Sequence, residues 1–280
     1  MGSLLKRPIR TAFLSSGGVF GDIVLCGLLS NPELQVVGVV QSRRVFKKGL
    51  GFLAGAFHFF RHCGIIYTVY IWSVTTFAEW LAFLSGRGGI LARARKHNLS
   101  VLRTRNVNSP EGIAYLRNLG VDLLVSAHFD QKLEPPLCDG PEFAAVNIHP
   151  SVLPQYKGLE PVLRAWFDMD HPPGVTLHRL SEKIDTGRIL ACAEGTRFKS
   201  LGLYGRTSEL MKAGACLLME NTDLLLQRDS GKPQQHEGSY YSWPTSSEVR
   251  RFLLAGGRFL HLGTIIRLLA FLVAIELSLV

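Results

Sequence analysis

Short apolar runs alternate with helix-period segments along most of the chain, and this alternation is the primary structural signal. Arg10 to Leu14 reads as a strand running into Ser15-Ser16-Gly17-Gly18-Val19-Phe20-Gly21. A helix of about ten residues follows and stops at Ser30-Asn31-Pro32, because proline cannot continue it. Leu34 to Val40 is a continuous apolar run, as expected of a strand buried on both faces. Val101 resumes the pattern with a short strand, and Ser109-Pro110-Glu111 opens a helix through an N-cap serine and an N1 proline. Asp122 to Ala127 and Ala144 to Ile148 are the next strands. The β-like runs Val175 to Leu180 and Ile189 to Phe198 precede a long helix from about Leu203 to Leu226.

Strands alternating with helices imply an α/β, doubly wound, mostly parallel sheet with right-handed crossovers. In such a sheet ligands bind at the carboxyl ends of the strands. That rim would collect Ser15 to Gly21, Ala127 to Leu133 and Asn147 to Gly158. Two regions break the alternation. Residues from about 43 to 97 read as a helical insertion, and after Gly231-Lys232-Pro233 come a polar, aromatic stretch (His236 to Thr245) and a helix over Glu248 to Val280.

Composition narrows the class. The 280 residues are 47% hydrophobic and 19% charged, the latter below the roughly 25% typical of soluble domains, which excludes disorder and collagen-like repeats. Five Cys without a C-x-x-C pair signal neither a disulfide scaffold nor a zinc site, and reduced thiols are expected. No long apolar h-region follows the first residues, so secretion is not expected.

The net charge of +9 is unevenly placed. Between Arg43 and His97 nine Lys and Arg face one acid, Glu79, and from Val249 onward four Arg face Glu276. Both segments are strongly apolar. The stretch His62 to Ala78 lacks a full charge but falls short of the roughly 20 residues a spanning helix needs. Helices lying in a membrane interface, or plainly buried ones, fit better. The insertion is expected to pack on the sheet or on another subunit, with a membrane-surface role as the alternative.

Three patterns could carry chemistry. The glycine turn Gly17-Gly18-x-x-Gly21 joins a strand to a helix, as a phosphate cradle does, but it is not G-x-G-x-x-G and reads equally as a plain βα turn. The second is Asn147-Ile148-His149-Pro150-Ser151-Val152-Leu153-Pro154-Gln155-Tyr156-Lys157-Gly158. The two-residue period of a strand puts Asn147 and His149 on one face, where an amide donor and an imidazole could supply an oxyanion contact and a proton shuttle. The third is Gly174-Val175-Thr176-Leu177-His178 followed by Ile184-Asp185-Thr186-Gly187, where a turn carboxylate could orient His149. His178 reads as a structural strand residue. No cluster of His, Cys and carboxylates has metal-ligand spacing, and no metal is expected.

N-I-H-P-S-x-L-P-x-Y-x-G, then G-V-T-x-H and I-D-T-G, resembles the formyltransferase catalytic domain over roughly residues 9 to 230. That family includes glycinamide ribonucleotide, methionyl-tRNA and nucleotide-sugar N-formyltransferases. The resemblance implies a Rossmann-like formyltransferase fold, with a catalytic domain over 1–230 and a C-terminal extension over 231–280. It further implies an enzyme that moves a formyl group from 10-formyltetrahydrofolate to an amine, with Asn147, His149 and Asp185 matching the catalytic set. Phe129, Gln131, Lys132 and Leu133 fall where the family's backbone binds the pterin ring, and Ser181, Glu182, Lys183 and Ile184 match the segment closing that pocket. Gly17, Gly18, Gly158 and Tyr241 are the acceptor-side candidates.

Methionyl-tRNA members carry a β-barrel of about a hundred residues after the catalytic domain, unlike this chain, so a small-molecule or nucleotide-sugar amine is the expected acceptor and nucleic acid is disfavoured. Methionyl-tRNA, or a non-catalytic, membrane-associated binding protein of the same fold, is the alternative. An anionic membrane surface is the further partner weighed, and a homodimer the oligomer weighed. The expected location is cytoplasmic, with a peripheral position at the inner membrane face as its extension.

Overall fold

A computed structural model of the chain describes residues 7–43, 52–85, 89–140, 142–168, 171–195 and 202–261. Strand β1 (Ile9–Ser15) enters helix α1 (Gly18–Ser30), and β2 (Leu34–Ser42) follows. The insertion then contributes α2 (Phe52–Cys63), α3 (Ile65–Trp72), a π-helical turn (Ser73–Phe77), α4 (Ala78–Ser85) and α5 (Ile90–Lys96). The alternation resumes with β3 (Ser100–Thr104), α6 (Pro110–Asn118), β4 (Leu123–Ala127) and β5 (Ala144–His149). After a two-residue strand β6 (Lys157–Gly158) come α7 (Pro161–Trp166), β7 (Gly174–Arg179), β8 (Ile189–Glu194), α8 (Gly202–Glu220) and α9 (Thr222–Leu225). The last elements are β9 (Tyr240–Tyr241) and α10 (Ser246–Leu254).

Seven strands form one sheet in the order β3-β2-β1-β4-β5-β7-β8, and β6 pairs with β9 in a second, two-stranded ladder. The first five are parallel; β7 pairs antiparallel with β5, and β8 pairs antiparallel with β7. The chain winds outward from β1 to β3 and then restarts at β4 on the other side of β1, so a crevice opens where the winding reverses. The expected α/β sheet is present.

Side-chain alternation divides the core into two layers. Phe13, Val39, Val125, Val146 and Ile148 pack with Leu25 and Leu28 of α1, Met211 and Leu218 of α8, and Tyr67 and Tyr70 of α3. Their neighbours Ala12, Leu14, Val40, Leu124 and Ala145 face the other way, against Leu116 of α6, Leu133 and Leu137. Asn147 and His149 share the second face, and Ile148, between them, anchors the strand so tightly that a Cβ on Gly214 of α8 would approach it to 2.3 Å.

The Ser109-Pro110 start is as expected: the Ser109 hydroxyl accepts the Gly112 amide at 3.2 Å and proline occupies the first turn. Two helix lengths need correction. The Leu203 to Leu226 helix breaks at Asn221, whose side-chain amide donates to the Leu217 carbonyl at 2.7 Å and satisfies a terminal acceptor. The final helix ends at Leu254 because Gly256 takes φ 81°, and the Gly257 amide closes on the Phe252 carbonyl at 2.9 Å. The rest of that expected helix, residues 262–280, lies outside the described residues, as do residues 44–51 of the insertion and 196–198 of the run after Ile189. The aromatic stretch packs back on the body: Trp243 meets Phe59 edge-on at 5.2 Å and also contacts Tyr67.

Candidate active site

β5 and β7 are antiparallel neighbours, and their register puts Asn147 opposite His178 and His149 opposite Thr176. The first pair meets directly, with Asn147 Nδ2 3.1 Å from His178 Nε2. His178 Nδ1 is 2.7 Å from the Arg179 carbonyl, which can only accept, so that nitrogen carries the proton and Nε2 presents its lone pair to the Asn147 amide. Asn147 keeps a second N–H for the rim. Thr176 locks the loop after β5: its hydroxyl donates to the Ser151 carbonyl at 2.7 Å and accepts the Leu153 amide at 3.1 Å.

His149 is 5% exposed. Its Nε2 lies 2.9 Å from the Tyr156 carbonyl and its Nδ1 3.6 Å from Asp185 Oδ2. The other carboxylate oxygen of Asp185 is 3.5 Å from His178 Nε2. Asp185 thus stands between both rings, and the Gly158 amide donates to its Oδ2 at 2.8 Å. The sequence singled out Asn147, His149 and Asp185; the structure brings all three together and adds His178, which accepts the Asn147 amide beside the carboxylate.

Two backbone features place that carboxylate. Asp185 adopts φ 53°, a left-handed conformation that Asp tolerates, and Gln234 steadies the turn by donating to the Asp185 and Gly187 carbonyls at 2.9 Å each. Gly158 takes φ 89° and lies against β9 so closely that a Cβ would come within 2.2 Å of the Tyr241 carbonyl oxygen. Gln234, far downstream, had no sequence signal beyond its place after Gly231-Lys232-Pro233.

Burial disfavours a charge on His149 and pushes its pKa below the ordinary imidazole range; Asp185 pulls the other way without overcoming it. Burial also works against the Asp185 carboxylate. His149 and the Gly158 amide outweigh it and hold Asp185 well below the usual carboxylate range. The resting state is therefore a neutral imidazole beside an ionised carboxylate. A proton taken up by His149 would find two acceptors already in place, Asp185 and the Tyr156 carbonyl.

The remaining candidates divide. Ser16 ties the ends of β1 and β4 together, its hydroxyl donating to Asp130 at 2.9 Å and accepting the Asp130 amide at 3.0 Å. Phe129 and Leu133 share the second core layer with Leu180, so the two segments expected to flank a ring border one cluster. The buried Gln131 side chain accepts the Val107 amide at 2.8 Å and donates to Ser42 at 2.7 Å; Lys132 is exposed. Ser181 hydrogen-bonds the Lys183 carbonyl at 3.0 Å, closing a turn on which Glu182, Lys183 and Ile184 are exposed. Tyr241 stacks on Tyr156 and lies under the Arg164 guanidinium at 4.7 Å, so its ring faces the body.

The glycine turn is filled by the protein itself. Glu79 of α4 accepts the Gly18 amide at 3.0 Å and the Leu91 amide at 3.4 Å, placing a carboxylate at the N-termini of both α1 and α5. Burial raises the Glu79 pKa although both amides lower it. A Cβ on Gly18 would lie 2.6 Å from the Val74 carbonyl oxygen, so the turn is closely covered by the insertion. Acceptor binding through Gly18 would have to displace Glu79.

Residues 86–196 match the family model described as formyl transferase. A methionyl-tRNA formyltransferase of Geobacillus thermodenitrificans is 31% identical over 154 residues, covering 55% of this chain and 48% of its own length. The chain spans about half the length of the curated relatives it matches. A phosphoribosylglycinamide formyltransferase from Anaplasma phagocytophilum has the same fold: TM-score 0.54, 19% identity, 84% of this chain and 100% of that one. So does a sugar 3N-formyl transferase, WlaRD, solved in the presence of dTDP and 5-N-formyl-THF, with TM-score 0.52, 18% identity, and coverage of 85% of this chain and 70% of that one.

Proposed function

Because residues 86–196 match the family model described as formyl transferase, we propose that the chain transfers a formyl group from 10-formyltetrahydrofolate to the primary amine of a small molecule or nucleotide-linked sugar. The observation that carries this reading is the Asn147, His149, Asp185 cluster, with a neutral imidazole whose charged form has two acceptors waiting.

The donor supplies the carbonyl carbon that the amine attacks. Asn147 would give its second N–H to the oxygen that becomes an oxyanion, a contact whose loss typically costs about 10²–10³ in rate. His149 would take the proton released as the amine nitrogen forms its new bond, and return it to the folate nitrogen as the old carbon–nitrogen bond breaks. Asp185 would stabilise the imidazolium between the two transfers. With the Gln131 and Leu133 side chains turned inward, residues 129–133 would meet a pterin edge with their main chain, and 181–184 would close over it. The WlaRD structure, solved with a formyl-folate, supports the donor class.

One observation favours a second acceptor: the curated relatives are methionyl-tRNA formyltransferases. The test is an assay with 10-formyltetrahydrofolate and a panel of small amines, nucleotide-linked amino sugars and methionyl-tRNA, following tetrahydrofolate release by absorbance. Transfer to a small amine that disappears in His149→Ala supports the reading. Transfer to methionyl-tRNA alone replaces the acceptor, and turnover that survives His149→Ala removes the site.

A further inference from the structure

The insertion is apolar on both sides. In α2, Gly55, Phe59 and Cys63 are buried while Leu53, Phe57 and Phe60 are exposed; in α3, Tyr67 and Tyr70 are buried while Ile65, Ile66, Val69 and Trp72 are exposed. Each set repeats at the three- and four-residue spacing of one helix face, so these helices present one greasy face to the body and a second to the outside. Helices apolar all round are normally surrounded on every side. Here the outer side is open over several turns: Phe57 is 60% exposed, Val69 53%, Trp72 52% and Trp80 56%. Contiguous apolar surface of this kind on a folded protein marks an interaction site.

Charge selects the partner. The polar residues exposed beside this face in α2 are His58, Arg61 and His62, and none of them is acidic. The Arg61 guanidinium lies 6.0 Å from the Phe57 ring, with the geometry of a side chain whose stem follows apolar surface and whose head stays at its edge. The segment's single acid, Glu79, is turned inward onto Gly18 and Leu91 and takes no part in the surface. Helix α10, packed beside α2, adds exposed Arg250, Arg251 and Leu254. Pairing with a second copy would bring like charges together, whereas anionic lipid headgroups neutralise them. Half-exposed Trp72 and Trp80 are side chains enriched at the membrane–water boundary. No helix among the described residues is long and apolar enough to cross a membrane, so the face would lie along the surface.

We propose that the outer face of α2, α3 and α4 docks the protein, parallel to the surface, onto a bilayer containing anionic lipid. The proposal is independent of the formyl-transfer reading and is tested without an activity assay.

The experiment is co-sedimentation of the full chain with vesicles of phosphatidylglycerol and phosphatidylcholine in equal parts, compared with phosphatidylcholine alone. Binding to the mixed vesicles should exceed binding to the neutral ones at least tenfold and weaken as the Debye length shrinks from about 10 Å at 0.1 M salt to about 3 Å at 1 M. Phe57→Asp with Val69→Asp should abolish it while the melting temperature stays unchanged. Trp72→Ser, a milder change, should lower the partition coefficient several-fold, and brominated lipid should quench tryptophan fluorescence. Equal binding to both vesicle types, or full binding by both variants, overturns the proposal. So does a lipid-free dimer in sedimentation velocity that the double variant dissolves, because the face would then be a subunit interface.

Discussion

Asp185 offers His149 the same oxygen, Oδ2, that accepts the Gly158 amide: it is 2.8 Å from that nitrogen and 3.6 Å from the imidazole Nδ1. At 3.6 Å a neutral ring makes no conventional hydrogen bond, but a proton on Nδ1 turns the contact into a charge-assisted pair. The carboxylate therefore acts mainly on the protonated imidazole. Asp185→Asn should lower the His149 pKa by about 1–3 units and cut transfer at least tenfold with little change in donor KM. Imidazole titration by NMR checks this, and an unmoved His149 resonance in the variant would sink it.

The same pair sets an acid limit on stability. Burial holds the native His149 pKa low, so the unfolded chain binds the proton first and stability falls as pH drops below about 6.5. Asp185 is held below its unfolded value, so its contribution is present above about pH 3.9 and is lost as pH falls through the native value. Urea unfolding from pH 7 to pH 4 should show a loss of stability that His149→Asn removes. An acid limb of equal slope in that variant would assign the loss to other groups.

Glu160 should act in the opposite direction. Burial raises its carboxyl pKa to about 7, against the pull of the Tyr67 hydroxyl and the Arg164 guanidinium. The protonated form is favoured in the fold, so this contribution is complete below about pH 4.5 and is lost as pH rises through about 7. Glu160→Gln should gain up to about 3 kcal/mol over the native chain at pH 8, less whatever partial solvent contact removes, and nothing at pH 4. A pH-independent difference between the two proteins would contradict this.

Glu79→Ala should cost about 1–3 kcal/mol, since it leaves the Gly18 and Leu91 amides without their acceptor, whereas Glu79→Gln keeps a carbonyl there and should cost less. Thermal unfolding separates the two. Equal melting temperatures for all three proteins would mean that water serves the amides as well.

Local patterns made much of this legible. The apolar runs located the strands, Ser109-Pro110 located a helix start, and the two-residue period put Asn147 beside His149. What could not be read depends on register or on distant partners. His178 reads from the sequence as a strand residue, because nothing local shows that β7 runs antiparallel to β5 with His178 opposite Asn147. Glu79 meets Gly18 across 61 positions, from an insertion whose packing direction the apolar pattern leaves open, since both sides of its helices are apolar. The apolar tail extends the expected final helix past the stop that Gly256-Gly257 provides.

The ladder of β6 and β9 gives the site a place in the order of folding. Gly158, whose amide holds Asp185, is fixed by its register with Tyr241, and the neighbouring Tyr156 amide donates to the Ser239 hydroxyl across 83 positions. Gln234 clamps the Asp185 turn from the same stretch of chain. During synthesis the central sheet can pair as soon as β8 has emerged, but Asp185 reaches its working position only after residue 241 has left the ribosome. Closing so long a loop comes late, after the local contacts have formed. The Gly158 to Asp185 contact is thus missing from every shorter nascent chain, and a truncation after Lys232 would leave the Asp185 turn without Gln234 and the Tyr156 to Gly158 loop without its ladder.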